Sequence, residues 1–245
     1  MSIKNNWTKE YPRPMLKRDS YYSLNGEWTL NNNQIIVPFP PQSKLSQYHN
    51  EVEENLHYHK TFTLPNHFYK DNERVILHFG AVDQICDVYL NNQLLGHNEG
   101  GYLPFHFDIT DYLKDENELV VIATDTLTHD YPYGKQRKDR GGMWYTPVSG
   151  IWQSVWIESV SEDYIENLTI TPDIDNNQVN IIIKSTSPIY TLKILDEGKV
   201  IFKEKQNNGI FKVNIKEVKL WSPENPFLYN IEISKKTYHL FHHAL

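Results

Sequence analysis

Apolar residues in this chain recur at every second position, and the three-to-four-residue period of an amphipathic helix is almost absent. Side chains two apart lie on one face of a strand. Short alternating runs bounded by Asn, Asp, Gly and Pro mark a sandwich or a barrel. "RVILHF" places Val75, Leu77 and Phe79 on one face. "QICDVYLNNQLLG" reads as a hairpin in which Cys86, Val88 and Leu90 share a face. Asn91-Asn92 is its tight turn, since Asn tolerates positive φ. "YLPFHFDI" turns Phe105, Phe107 and Ile109 inward, with His106 and Asp108 outward. "TDYLKDEN" is one helical turn with Thr110 or Asp111 as its cap, and "ELVVIATD", apolar on both faces, is a central strand.

The pattern changes near "IESVSEDYIENLTI". Before it, loops are long and aromatic; after it, strands are short and turns tight. Val179, Ile181 and Ile183 alternate, as do Tyr190, Leu192 and Ile194. Such strands fit an immunoglobulin-like sandwich without the cysteine pair of antibody domains. The boundary falls near Val160, giving domains 1–160 and 161–245. Pro223 and Pro226 in "LWSPENPFLYNIEI" end pairing upstream and launch a strand at Phe227. The tail "SKKTYHLFHHAL" is either a last edge strand or a ragged end.

An apolar content of 39% across 245 residues supports a real core. The 16 Tyr and 6 Trp favour strands, and such rings also line sugar sites by stacking on pyranose faces. A formal net charge of -7 argues against a phosphate backbone as partner, so no nucleic acid is expected. The single cysteine, Cys86, forbids an intrachain disulfide. The amino terminus carries no apolar signal core, and no run is long enough to cross a bilayer. A cytoplasmic protein without membrane contact is expected.

Few patterns carry chemistry. "NEGGYLP" lacks a following Lys-Ser/Thr and leads into a strand, so it is no phosphate loop. His57 and His59 share a strand face at a spacing that can ligate metal, but no third ligand is near, and an exposed hydrogen-bonded pair accounts for them. His242 and His243 lie in the tail. No Gly-x-Ser-x-Gly elbow occurs, and Cys86 sits mid-strand as a small packed hydrophobe. Asp83, Asp87, Glu99, Asp125, Asp130 and Asp139 all lie near loops. A glycosidase pair needs carboxyl groups ~5–5.5 Å or ~6.5–9.5 Å apart, which spacing along a chain does not reveal. The loop Asp125 to Tyr145 mixes Tyr131, Tyr133, Trp144 and Tyr145 with Lys135, Gln136, Arg137, Asp139 and Arg140. It either grips a ligand such as a sugar or packs on the sandwich or another domain.

Five segments, in order, resemble the amino-terminal region of glycoside hydrolase family 2, which includes β-galactosidases, β-glucuronidases and β-mannosidases. They are "SYYSLNGEWTL", "LHYHKTFTLP", the long run "LHFGAVDQICDVYLNNQLLGHNEGGYLPFHFDITDYLKDENELVV", "VSGIWQSVWIE" and "LWSPENPFLYNIEI". The resemblance implies an all-β chain: a jelly-roll β-sandwich of sugar-binding type followed by an immunoglobulin-like β-sandwich. It also implies a (β/α)₈ barrel beyond, bearing both catalytic glutamates. The pairs Asn72-Glu73, Asn98-Glu99 and Asn117-Glu118 are expected in strand-flanking turns, not on a barrel strand, so none is carried over as catalytic. The tail departs from the family pattern, which implies a truncated gene or a trimmed chain.

The resemblance therefore implies a noncatalytic amino-terminal region of a β-glycoside hydrolase, of β-galactosidase or β-glucuronidase type, with a stand-alone carbohydrate-binding module as the alternative. No catalytic residue, cofactor or metal is assigned. The partners implied are carbohydrate, the catalytic barrel of the parent enzyme, and a second copy through sandwich surfaces left bare. Asp83 in "GAVDQ" occupies a slot near the barrel's rim, where the family often has Asn or Asp. "GKQRKDRGGMWYT" occupies the place of a second rim contact. Asp83, Asp139, Arg140, Trp144 and Tyr145 are therefore the candidate sugar or rim residues. Gly100-Gly101 reads as a backbone corner between strands, with His97, Asn98 and Glu99 as lesser candidates.

Overall fold

A computed structural model describes residues 10–13, 16, 18–139, 141–185 and 190–234. The chain divides into two compact units: residues 1–12 with 20–160, and residues 13–19 with 161–245. Arg140 and the tail beyond Ser234, with His242 and His243, lie outside the described residues.

The first unit strings together β1 (Tyr21–Ser23), β2 (Gly26–Leu30), β3 (Asn33–Val37), β4 (Asn55–Phe62), β5 (Glu73–Phe79), β6 (Val82–Asp83), β7 (Ile85–Leu90), β8 (Gln93–Glu99), β9 (Phe105–Asp108), β10 (Asn117–Thr124), β11 (Gly150–Ile151) and β12 (Val155–Ser161). Among the described residues they form sheets ordered β3-β2-β4-β10-β7-β8, β1-β12-β5-β9 and β11-β6. The pairings of β1 with β12, β5 with β9, β6 with β11 and those that build the six-stranded sheet are antiparallel. Strand β10 lies between β4 and β7, as its apolar run requires.

Alternation decides which side chains enter the core. Trp28 and Leu30, Leu56 and Tyr58, Cys86, Val88 and Leu90, and Leu119, Val121 and Ala123 are buried with Val75, Leu77, Phe79, Val155 and Ile157. Each large aliphatic buried in this way stabilises the unit by roughly 1.5–3 kcal/mol. Trp28 satisfies its indole N–H on the Leu24 carbonyl at 2.7 Å. The hairpin turns at Asn91 (φ 52°) and Asn92 (φ 67°), the left-handed pair of a two-residue turn.

Three local expectations need correction. The turn after β9 is a 3-10 turn over Thr110–Tyr112 whose N-cap is Ile109, with no side-chain capping bond. The Thr110 hydroxyl is already committed: it accepts from the Val75 amide at 2.9 Å and donates to Asp108 Oδ1 at 2.5 Å. Asn98-Glu99 closes β8 and Asn117-Glu118 opens β10, so these pairs lie within strand ends rather than turns.

The second unit holds β13 (Ile165–Asp173), β14 (Gln178–Ser185), β15 (Tyr190–Asp196), β16 (Lys199–Gln206), β17 (Ile210–Asn214) and β18 (Asn230–Ser234). These make two three-stranded sheets, β13-β14-β17 and β16-β15-β18. Val179, Ile181, Ile183, Leu192, Ile194, Phe211, Val213, Ile231 and Ile233 meet in its core with Leu16. The Tyr229 hydroxyl accepts from the Lys219 amide at 2.7 Å, ten residues upstream. A tyrosine at the start of a late strand, bonded back to the backbone, is the tyrosine corner of immunoglobulin-like sandwiches. The last strand begins at Asn230, not Phe227. The Phe227 amide instead donates to the Asn225 carbonyl at 2.7 Å, which keeps the chain turned after the prolines.

Candidate functional site

The long loop leaves β10 at Asp125 and returns at Ser149 to enter β11. Its two ends meet at the short strand β6. Asp83 pairs with Gly150 across β6 and β11. Asp125 caps the loop's first turn, with Oδ1 accepting from the Leu127 amide at 2.8 Å, while its own amide donates to the Glu54 carbonyl at 2.9 Å. At the exit, Gln42 grips Ser149 twice: its side-chain carbonyl accepts from the Ser149 amide, and its amide donates to Ser149 Oγ.

The corner Gly100-Gly101 frames the same place. Gly100 has φ +100°, open only to glycine at low cost. Gly101 is needed for close approach: a Cβ there would sit 2.1 Å from Asp83 Oδ1. The Gly101 carbonyl accepts from the Trp152 indole at 2.7 Å, which fixes the corner over Asp83.

Asp83 and Asp125 are 8% and 3% exposed, so neither carboxylate is well hydrated. Burial, with the negative charge of Asp125 second, pushes the Asp83 pKa up to about 7. Burial likewise raises Asp125, opposed by the Leu127 amide. Asp125 Oδ2 is buried without a well-formed hydrogen bond, the Ser149 side chain lying alongside.

Beyond its base the loop is braced internally. Gln136 and Tyr145 form an isolated parallel bridge, with the Tyr145 amide donating to the Lys135 carbonyl and the Arg137 amide to the Tyr145 carbonyl. The Gln136 side-chain carbonyl accepts from the Val148 amide at 2.6 Å, and its amide reaches the Tyr102 hydroxyl at 3.4 Å. The Arg137 guanidinium lies 4.0 Å from the centre of the Trp144 ring, a cation–π contact. Tyr145 and Met143 are each 64% exposed, and Tyr102 is 44% exposed.

Of the residues singled out from sequence, Asp83 is buried at the loop base, Asp139 is exposed on the loop, Trp144 is half-buried under Arg137, and Tyr145 is exposed beside Gln136. Arg140 lies outside the described residues. The structure adds Tyr102 and Trp152, which sequence reasoning passed over, and joins Tyr102 to Gln136, which the sequence offered only as one of the loop's polar residues. Their partners lie 34 and 51 residues away, so no local pattern marks them.

The remaining candidates have local partners. His97 Nδ1 meets Asp87 Oδ1 at 2.7 Å and its Nε2 lies 3.5 Å from Glu99, a surface ladder across β7 and β8 that raises the His97 pKa, chiefly through the Asp87 bond. His59 meets Glu118 at 2.8 Å, and among the described residues no group of three His, Cys, Asp or Glu is placed to hold a metal. Cys86 is buried, and burial pushes its thiol up to about 12, far from a reactive thiolate.

Residues 22–160 match the sugar binding domain of glycosyl hydrolases family 2, and residues 163–239 match a second domain of that family. The chain is 27% identical to a β-galactosidase of Thermoanaerobacter pseudethanolicus, over 82% of this chain and 29% of that protein. It is 28% identical to a β-galactosidase of Thermoanaerobacterium thermosulfurigenes, over 96% of this chain and 34% of that protein. A solved β-glucuronidase structure from Dictyoglomus thermophilum superposes with TM-score 0.70 over 94% of this chain and 44% of the other, at 24% identity, and so supports the fold. The chain thus spans about a third or less of the curated relatives it matches.

Proposed function

The chain belongs to glycosyl hydrolase family 2, and from that premise we propose that its two sandwiches are the noncatalytic, amino-terminal part of a β-glycoside hydrolase of β-galactosidase or β-glucuronidase type. One observation carries the reading. The two matched domains account for most of the chain, yet the chain aligns with only 29% and 34% of the β-galactosidases it resembles. The catalytic carboxylates would then lie on a barrel that partners these domains, as the resemblance implies. Pure chain is expected to leave chromogenic β-galactoside and β-glucuronide uncleaved. Turnover that disappears when the chain's own carboxylates are replaced overturns the reading.

In this reading the loop from Asp125 to Ser149 serves the rim of the sugar site. Asp83, Asp139, Arg140, Trp144 and Tyr145 are the proposed contacts, and the Gln136 bridge between Tyr102 and the Tyr145 turn supports that use. A second reading, a stand-alone carbohydrate-binding module, is favoured by the same exposed rings. Stacking on Tyr145 and Tyr102 with the Gln136 amide between them suits a pyranose. Calorimetry against a sugar panel separates the two: heat at millimolar sugar from this chain alone supports the module, and its absence leaves the rim dependent on a barrel.

Two further parts of the proposal concern setting and assembly. A cytoplasmic setting is supported by the lone, buried Cys86. No described helix is long and apolar enough to cross a membrane. Self-association is supported by an apolar groove on the second unit, where Ile174, Leu220 and Trp221 are more than half exposed.

A further inference from the structure

We propose that the Asp83–Asp125 base of the long loop is a proton-dependent latch, which seats residues 126–149 while Asp83 is neutral and loosens them when both carboxylates are charged. The loop's entry residue, Asp125, follows Thr124, which pairs with Ile85 two residues beyond Asp83, and its exit residue, Gly150, pairs with Asp83 itself. Asp83 has no room to swing toward the corner, because the Gly101 backbone, pinned by Trp152, closes that side. Two like charges held there repel in a poorly hydrated place and have no local way to separate except by moving the loop.

Among the described residues, the charged and titratable groups around the pair do not cancel it. On Asp83's side these are Asp125 and, from the strand corner, the Tyr102 phenol. On Asp125's side they are Glu54 before β4 and, within the loop, Lys138 and the Tyr133 phenol. The one cation of this set among the described residues, Lys138, is 3.4 Å from Glu54 and shares its charge with that carboxylate. The His129 ring packs edge-on against Tyr133, 5.1 Å between centres, and so reaches the set through that phenol. The raised Asp83 pKa puts the change between about pH 6 and 8, inside the working range of a cell.

The movement needs no sugar to occur; its use, setting how firmly the loop presents Trp144 and Tyr145, rests on the rim reading. Backbone hydrogen exchange tests the latch directly. Rates for peptides within 126–149 are measured at pH 5.5 and pH 8.5, each divided by the unstructured-chain rate at the same pH, with β14 as internal reference. The expected result is a fall in protection of about tenfold at pH 8.5, confined to the loop, and its disappearance in Asp83→Asn. Asp125→Asn, which also removes one of the two charges, is expected to abolish the fall and serves if Asp83→Asn does not fold. Equal wild-type protection at both pH values, or the same fall in a folded Asn variant, overturns the proposal. No sugar enters the measurement, so a failed latch and a failed sugar reading remain separate results.

Discussion

Gly101 lies against Asp83 so closely that a single methyl on Gly101 would stand 2.1 Å from the carboxylate oxygen and 2.4 Å from its carbon. Its neighbour Gly100 has the opposite requirement: φ +100°, with nothing within 4 Å of a methyl added there. The two glycines are therefore separable by experiment. Gly101→Ala should destabilise the first unit by about 2–3 kcal/mol, because the buried carboxylate must be displaced. Gly100→Ala should cost only ~1 kcal/mol of backbone strain. Urea midpoints at constant m-value check the order; Gly100→Ala proving the more damaging would show that the corner, not the approach to Asp83, sets the requirement.

Stability should depend on pH through the same carboxylate. Asp83 is raised from 3.8 to about 7, so the folded chain binds its proton more tightly than the unfolded one. Its contribution to stability is then fully present near and below pH 4, falls as pH rises, and is lost above about pH 7. Asp125 shifts in the same direction. The exposed His97, raised by Asp87, also loses its contribution as pH rises, so the wild-type curve mixes several groups. Asp83→Asn isolates one of them. Between pH 5 and pH 8 the wild type should lose roughly 1–2 kcal/mol more than this variant, once partial hydration of the loop base is allowed for. Parallel curves from denaturant titrations would remove Asp83 as the cause.

The strands were legible because alternation is local. Leu119, Val121 and Ala123 on β10, or Val179, Ile181 and Ile183 on β14, announce a buried face within a few residues. The Asn91-Asn92 turn was legible for the same reason: both residues tolerate the left-handed backbone that they adopt. What escaped was set by partners distant along the chain. Thr110 looks like a cap, but its hydroxyl is taken by Val75, 35 residues away. Phe227 looks like a strand start, but the Asn225 turn and the Tyr229–Lys219 bond hold that stretch until Asn230. At the loop base, the sequence displayed Asp125 only as one of six loop carboxylates, and Asp83 as a rim candidate with no sign of Asp125 beside it. Their convergence is made by the pairing of β10 with β7, which sets Thr124 opposite Ile85, and no local pattern encodes it.

Tyr229 offers a test of the second unit's architecture. Its ring packs edge-on against Phe227 at 4.9 Å, and its hydroxyl satisfies the Lys219 amide. Tyr229→Phe keeps the ring and leaves that amide without its acceptor. A loss of about 1–2 kcal/mol is expected, from one hydrogen bond and one stranded donor. Thermal unfolding followed by tryptophan fluorescence, which reports Trp221 close by in sequence, measures it. An unchanged midpoint would mean that water replaces the hydroxyl and that the corner is dispensable here.

The apolar groove of the second unit predicts how the isolated chain behaves in solution. Pro172, Ile174, Val179, Ile215, Leu220 and Trp221 line it, and Trp221 keeps 58% of its surface exposed. Large apolar side chains gathered on one face gain about 25 cal/mol for each Å² they remove from water. A second copy of the chain is the partner always present in a purified sample. Sedimentation should therefore show association that rises with protein concentration. Trp221→Glu, placing a charge where a partner must dock, should weaken that association about tenfold or more while leaving the buried Phe211 and Ile231 core intact. A wild-type chain that stays monomeric at high concentration would instead mark the groove as too small to hold a copy, and the module as self-sufficient.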